Sequence, residues 1–238
     1  MSKVWTITLA LLRQNRWLFL LLVAWPWAFL ALMVLPEGNV SQGDLLSLLQ
    51  QEYFYGTALT MVYAASLLGG ELRARRVAAV LCRAVSRGQY LAALWATVLL
   101  PGIFFAISVF LSIWLAAADL GLKVAILLPV ILELLVVEIW VTASGVFFSL
   151  FLPALLASLA VGATAAVLIS IGGVEHWLGM WTGPGPLILS VLHVNEGRNG
   201  PNTASMGTAL ASTLVQAVAL AVVSLRVFQR KDLPSSGE

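Results

Sequence analysis

Charged residues and cysteine are what this sequence has least of. Lys and Arg number 13 and Asp and Glu 11 in 238 residues, while 61% of the residues are hydrophobic. Soluble domains carry about 25% charged and about 45–50% apolar residues, so this chain has too few polar side chains to cover a water-facing surface. A single cysteine, Cys82, excludes a disulfide framework and a cysteine-based metal site. The composition indicates an integral membrane protein of the all-α class.

The sequence contains long apolar segments that are almost free of charged residues. Six segments approach or exceed the roughly 20 residues that a helix needs to cross the hydrocarbon core. Glu133 and Glu138 are the only charged residues inside them. The predicted membrane spans are 17–35, 53–70, 90–118, 124–148, 154–172 and 207–225.

The basic residues predict the orientation of these spans. Eleven of the 13 Lys and Arg fall before the first span, in the connection 71–89, or in the tail 226–238. The connections on the other side carry only Lys123 and Arg198. Because basic loops stay in the cytoplasm, we expect both termini there, with 1–238 forming one transmembrane domain.

Three further helical regions are expected outside the spans. Residues 1–16 predict an interfacial helix, since Arg13 and Arg16 stand where a signal peptide would have small residues. A short surface helix is expected after Asp44. Short outer helices are expected between the fifth and sixth spans.

The connection 71–89 contains no helix breaker before Gly88 and is rich in Ala, Leu and Arg, which predicts a helix. Arginines at helical spacing form one side of it and apolar residues another. Such a helix either sets topology and contacts lipid headgroups, or it docks a cytoplasmic partner.

The same connection resembles that of the type-2 exporter permeases of ABC transporters. In that family the second span ends in a Glu, and the helix that follows closes on Ser-Arg-Pro-Val-Ser-Arg, two residues and a Tyr. The corresponding residues here, without a gap, are Glu71, Val77, Leu81, Arg83, Val85, Ser86, Arg87 and Tyr90. This chain departs from the family at Arg75-Arg76 (Gly-Thr), Cys82 (Ser) and Ala84 (Pro). Its tail at 228–233 is similar to the Phe-x-Arg-Arg-Asp ending of the family.

The resemblance implies half of a transporter in a bacterial cytoplasmic (inner) membrane. Two permeases, identical or different, would pair in the lipid, and each would seat a separate ATPase subunit that binds ATP and Mg. The chain lacks a Gly-x-x-x-x-Gly-Lys-Ser/Thr motif, so we expect no enzyme activity, no cofactor and no nucleic-acid partner for it. The implied ATPase-coupling residues are Glu71, Arg73, Arg76, Val77, Leu81, Arg83, Val85, Ser86 and Arg87.

Glu133 and Glu138 are the polar residues predicted at mid-membrane depth. A carboxylate there costs roughly 2.5–3.5 kcal/mol on insertion scales, so each needs a partner or a polar cavity. One alternative is a hydrogen bond to a neighbouring helix; the other is a role in the substrate route or as a proton site. Tyr63, Ser66 and Ser158 are candidates for lining a translocation path.

The fifth span carries small residues at strict four-residue spacing, a ridge that permits close helix approach. Packing within the chain and a seam between two permeases both explain such a ridge, and the resemblance favours the seam. The dimer-interface candidates are Ala154, Ser158, Gly162, Ala166 and Ser170.

Three rival functions are suggested by single features of the sequence. Residues 142–145 resemble the Gly-x-Ser-Gly of rhomboid intramembrane proteases, but the two histidines fall in an outer loop, which favours packing for Ser144. The outer-loop residues His176, Met180, His193 and Glu196 lack metal-ligand spacing, so no metal site is expected. A non-transporting polytopic anchor or scaffold subunit of another complex fits the composition equally well.

Overall fold

The computed structural model describes residues 3–37, 42–73, 85–119, 127–174, 184–188 and 203–230, and over these ranges the chain forms helices and turns without a strand. The seven long helices are α1 (Lys3–Gln14), α2 (Arg16–Glu37), α3 (Gln42–Arg73), α4 (Arg87–Asp119), α5 (Leu127–Ser149), α6 (Ala154–Val174) and α7 (Thr203–Arg230).

Membrane character is evident in α4, α5 and α7. Their segments Arg87–Ala118, Leu128–Ser149 and Met206–Arg230 are long and apolar enough to cross a bilayer, and α1 with α2 makes a fourth crossing if that bent pair is one span. The all-helical prediction is thereby confirmed over the described residues, and three or four of these helices are compatible with a membrane protein; the count of six spans stays a prediction.

Helix α5 lies at the centre of the bundle, where it packs against α3, α4, α6 and α7. Its side chains Leu134, Val137 and Trp140 are buried together with Phe105 of α4. Large apolar side chains remain exposed on outer faces, for example Val215 of α7. Hydrocarbon solvates such faces, so their exposure carries little cost in a bilayer.

Asn15 makes the elbow between α1 and α2, whose axes meet at 74°. Its side-chain Nδ2 donates to the carbonyl of Leu11 at 3.0 Å. Its own carbonyl accepts the first hydrogen bonds of α2, from the amides of Leu18 and Phe19. One residue thus ends α1, the predicted interfacial helix, and begins α2.

Helix α3 begins eleven residues before the predicted span. The surface helix expected after Asp44 is instead the first turns of α3, because Leu45, Leu48 and Leu49 are buried against the bundle. That expectation was wrong: the cluster of leucines belongs to the core.

The later boundaries also shift. Helix α4 runs through Pro101, and α7 continues to Arg230, so the first part of the predicted tail is helical. Of the expected outer helices only a helical turn at 184–188 is described, where Gly185 lies directly against the carbonyl of Leu168 in α6. Residues 175–183 and 189–202 lie outside the described residues.

Gly145 marks the closest approach of α5 to α3. A Cβ added there would lie 2.5 Å from the Cβ of Ala64 and 3.3 Å from the backbone nitrogen of Ala65. Only a hydrogen fits in this space, and the two helices therefore share a tight interface near the C-terminal end of α5.

Candidate functional site

The ends of four helices meet in a cluster that we call the junction: Gln14 of α1, Glu71 of α3, Arg87 and Tyr90 of α4, and Phe228 of α7. Glu71 and Tyr90 are buried. Gln14 Nε2 donates to Glu71 Oε1 at 3.5 Å, and the Tyr90 hydroxyl donates to Glu71 Oε2 at 3.4 Å. One carboxyl group therefore connects α1, α3 and α4.

Arg87 extends the junction to α7. Its Nη1 donates to the carbonyls of Phe228 at 3.3 Å and Gln229 at 2.7 Å. These carbonyls belong to the last described turn of α7, and a cation is favoured at the C-terminal end of a helix dipole. The Tyr90 and Phe228 rings stack, with centroids 6.3 Å apart and planes at 19°.

Ser86 and Gln89 form a capping box at the start of α4. The amide of Gln89 donates to Ser86 Oγ at 3.2 Å, and the amide of Ser86 donates to Gln89 Oε1 at 3.1 Å. The Ser-x-x-Gln spacing is a recognised signature of a helix N-terminus. That signal was present in the sequence, and our sequence reasoning missed it.

The junction contains part of the predicted ATPase-coupling set. Glu71 and Arg87 take part in it, Ser86 caps α4 beside it, and Val85 packs against the apolar cluster around Tyr90. Arg73 ends α3, and its side chain lies outside the described part. Residues 74–84, which we call the arginine segment, also lie outside it, with the coupling residues Arg76, Val77, Leu81 and Arg83.

A second polar cluster lies in the interior of the bundle, between α3, α4 and α5. Glu138 of α5 is 2% exposed, and Thr57 and Thr60 of α3 face its carboxyl group. Gly102 of α4 leaves room for that group, since a Cβ added there would lie 3.1 Å from Glu138 Oε2. Within the described ranges, neither carboxyl oxygen has a hydrogen-bond partner of acceptable geometry.

Glu133 is buried one and a half turns away on α5. About 140° separates the two glutamates around the helix. Tyr53 of α3 nevertheless lies close enough for its hydroxyl to interact electrostatically with both carboxyl groups. Both predicted intramembrane carboxyls thus approach α3 rather than the lipid.

The path candidates belong to the interior of the bundle. Tyr63 is 3% exposed and packs with Leu67 and Leu91 in the core beneath the junction. Ser66 is half-buried and donates to the carbonyl of Tyr63 at 3.1 Å. Ser158 is buried and donates to the carbonyl of Leu155 at 2.8 Å. Their role in a path stays a prediction.

The small-residue ridge of α6 is divided between two environments. Ser158 is buried, Ala154 and Gly162 are half-buried, and Ala166 and Ser170 are exposed. A Cβ added to Gly162 would lie 3.8 Å from the Met61 sulfur of α3. Packing within the chain thus accounts for one part of the ridge and leaves the other uncovered.

The described residues supply no partner groups for the protease or the metal-site alternative. Ser144 is buried, and its hydroxyl has no hydrogen-bond partner in the described ranges; both histidines lie outside those ranges. No three His, Cys, Asp or Glu side chains converge on a metal position within 3–37, 42–73, 85–119, 127–174, 184–188 and 203–230.

Neither a protein-family model nor a curated protein sequence matches the chain.

Proposed function

We propose that this chain is the permease subunit of an ABC exporter, with six membrane spans and both termini in the cytoplasm of a bacterial cell. Two such permeases pair, and each receives a separate ATPase subunit that holds ATP and Mg. Few charges line the spans, which favours an apolar or amphipathic cargo.

The observation that carries this proposal is the junction. It fixes both ends of the arginine segment: Glu71, three residues before it, is held by α1 and α4, and Arg87, three residues after it, is held by α7. A partner that displaced the arginine segment would therefore pull on four helices together. Such a connection would transmit a movement of the ATPase subunit to the helices of the bundle.

Charge supports the same assignment. The sequence of the arginine segment contains Arg75, Arg76 and Arg83, and the helices that meet in the junction carry Arg13 and Arg230. A basic surface of this kind steers an acidic partner into contact and increases its association rate. Lipid headgroups provide a second anionic surface, so a test must separate the two.

The test is to purify the tagged full chain from its native membrane in mild detergent and to assay the preparation for ATP hydrolysis. We expect a Walker-motif ATPase to copurify. Arg76→Glu and Arg83→Glu should reduce the retained ATPase activity about tenfold, which corresponds to ~1.4 kcal/mol of binding. Arg198→Glu, on the predicted outer side, is the matched control and should have no effect.

The alternative, a membrane anchor or scaffold subunit without ATP coupling, predicts the opposite outcome. The chain would then purify without nucleotide hydrolysis under conditions that preserve its assembly, and the arginine variants would leave its partners bound.

A further inference from the structure

Hydroxyl groups in this bundle follow two patterns. Several buried or half-buried threonines donate to the carbonyl four residues earlier on their own helix, as helical Ser and Thr commonly do. Thr97, Thr164 and Thr213 each make this bond at 2.7 Å. Thr57 and Thr60 do not: their buried hydroxyl oxygens lie beside the Glu138 carboxyl group instead, in contacts that do not reach good hydrogen-bond geometry.

The exceptions face one place. Thr57 and Thr60 lie on the face of α3 that meets the Glu138 carboxyl. Tyr53 lies one turn before Thr57 on that face, and its buried hydroxyl likewise has no partner among the described residues. Thr142 follows Glu138 by one turn of α5, and its buried hydroxyl also has no hydrogen-bond partner among the described residues. We call Tyr53, Thr57, Thr60, Glu138 and Thr142 the Glu138 site.

The site is rich in oxygen, and the described helices that line it bring no cationic side chain to it. One carboxyl and four hydroxyl groups lie along the contact of α3 with α5, and Gly102 of α4 makes room for the Glu138 carboxyl on the third side. The helices α3, α4 and α5 contain no Lys or Arg apart from Arg73 and Arg87 at the cytoplasmic ends. The three helices that line the site thus offer the Glu138 carboxyl no cationic side chain, so this buried group needs either a proton or a bound cation.

We propose that the Glu138 site binds a small monovalent cation of the sodium type. Carboxylate and hydroxyl oxygens are the donors that hard cations prefer. One carboxylate balances one positive charge, and the hydroxyls of Thr57, Thr60 and Tyr53 supply neutral oxygens around it. A bound cation would also coordinate these buried oxygens, which make no well-formed hydrogen bond among the described residues.

The experiment uses the purified full chain in detergent and the thermal unfolding midpoint as its readout. NaCl is raised at fixed mildly alkaline pH, with choline chloride added to hold the ionic strength constant. We expect the midpoint to rise with Na⁺ and with Li⁺ but not with choline. At a Na⁺ concentration one hundred times the dissociation constant, the folding equilibrium should shift about 100-fold.

Two variants locate the effect. Glu138→Gln removes the charge at nearly constant volume, and Thr60→Val removes one hydroxyl; both should weaken the Na⁺ response about tenfold or more. Thr213→Val is the matched control, because Thr213 is equally buried but its hydroxyl bonds to Ala209. It should retain the full response. If Glu138→Gln does not fold, Thr60→Val alone decides the question.

Two results would overturn the proposal. The first is an unchanged Na⁺ response in both site variants. The second is a wild-type midpoint indifferent to Na⁺ together with an infrared band of a protonated carboxylic acid that Glu138→Gln abolishes, since the site would then hold only a proton. Neither result depends on an ATPase, so the outcome is separate from the proposed permease function.

Discussion

At the scale of single residues, Arg87 has a role in the structure that its sequence position did not suggest. The resemblance assigns it to contact with an ATPase, and the structure directs its Nη1 to two carbonyls of α7. Hydrogen bonds from charged groups contribute roughly 1.5–3 kcal/mol when shielded. Because Arg87 is half-buried and one of the bonds is exposed to solvent, a smaller value is expected.

We expect Arg87→Ala to reduce the free energy of unfolding by about 1–2 kcal/mol and to increase amide exchange in the last turn of α7. Denaturant unfolding in detergent and hydrogen exchange measure the two effects. Arg226→Ala is the control, since Arg226 is an exposed arginine in the same part of α7. Equal losses in both variants would show that Arg87 does not hold α7.

Ser86 provides a second test at this scale. Ser86→Ala removes the side-chain acceptor of the capping box and should destabilise the start of α4 by about 1 kcal/mol. Ser86→Asp should retain the stability, because Asp is an equally good N-cap residue. Hydrogen exchange at residues 87–90 reports the difference, and identical protection in both variants would contradict the assignment.

At the scale of helices, the tight contact between α3 and α5 depends on Gly145. Gly145→Ala places a Cβ where Ala64 already lies and should lower stability by about 1–3 kcal/mol through overpacking. Gly207→Ala, in α7, meets nothing within 4 Å and should be neutral or stabilising by up to about 1 kcal/mol. Thermal unfolding of the two variants tests the contact. A neutral Gly145→Ala would mean that the helices lie farther apart.

Hydropathy located the helices because a bilayer requires apolar side chains around most of a helix. Hydropathy placed the start of α3 too late, since the leucine-rich sequence at 45–49 is equally compatible with an interfacial helix and with a buried one. The junction was half predictable: the resemblance pointed to Glu71 and Arg87. Their partners Gln14 and Phe228 lie 57 and 141 residues away, and local patterns carry no information about such distant contacts.

At the scale of the whole molecule, substitutions on the exposed part of the α6 ridge test the proposed pairing of two copies of the chain. Gly162→Leu is a poor probe, because Gly162 also faces Met61 of its own chain. Ala166 is exposed, so Ala166→Leu should leave the monomer folded and reduce the dimer fraction measured by light scattering in detergent. Val167→Leu, on an adjacent exposed position, is the control. An unchanged dimer in Ala166→Leu would remove this face from the interface.

The junction lies at one end of the bundle, where Gln14, Glu71, Arg87 and Gln229 come together. The account depends on this end being cytoplasmic and on a partner covering the arginine segment. Cys82, the chain's single cysteine, lies in that segment and serves as a native probe for both points.

The most direct measurement is the rate at which a membrane-impermeant maleimide modifies Cys82 in vesicles of the native membrane. We predict rapid modification in inside-out vesicles stripped of peripheral proteins, slow modification when the ATPase is retained, and none in sealed right-side-out vesicles. Modification from the outer side, or an equal rate with and without the retained ATPase, would contradict the account.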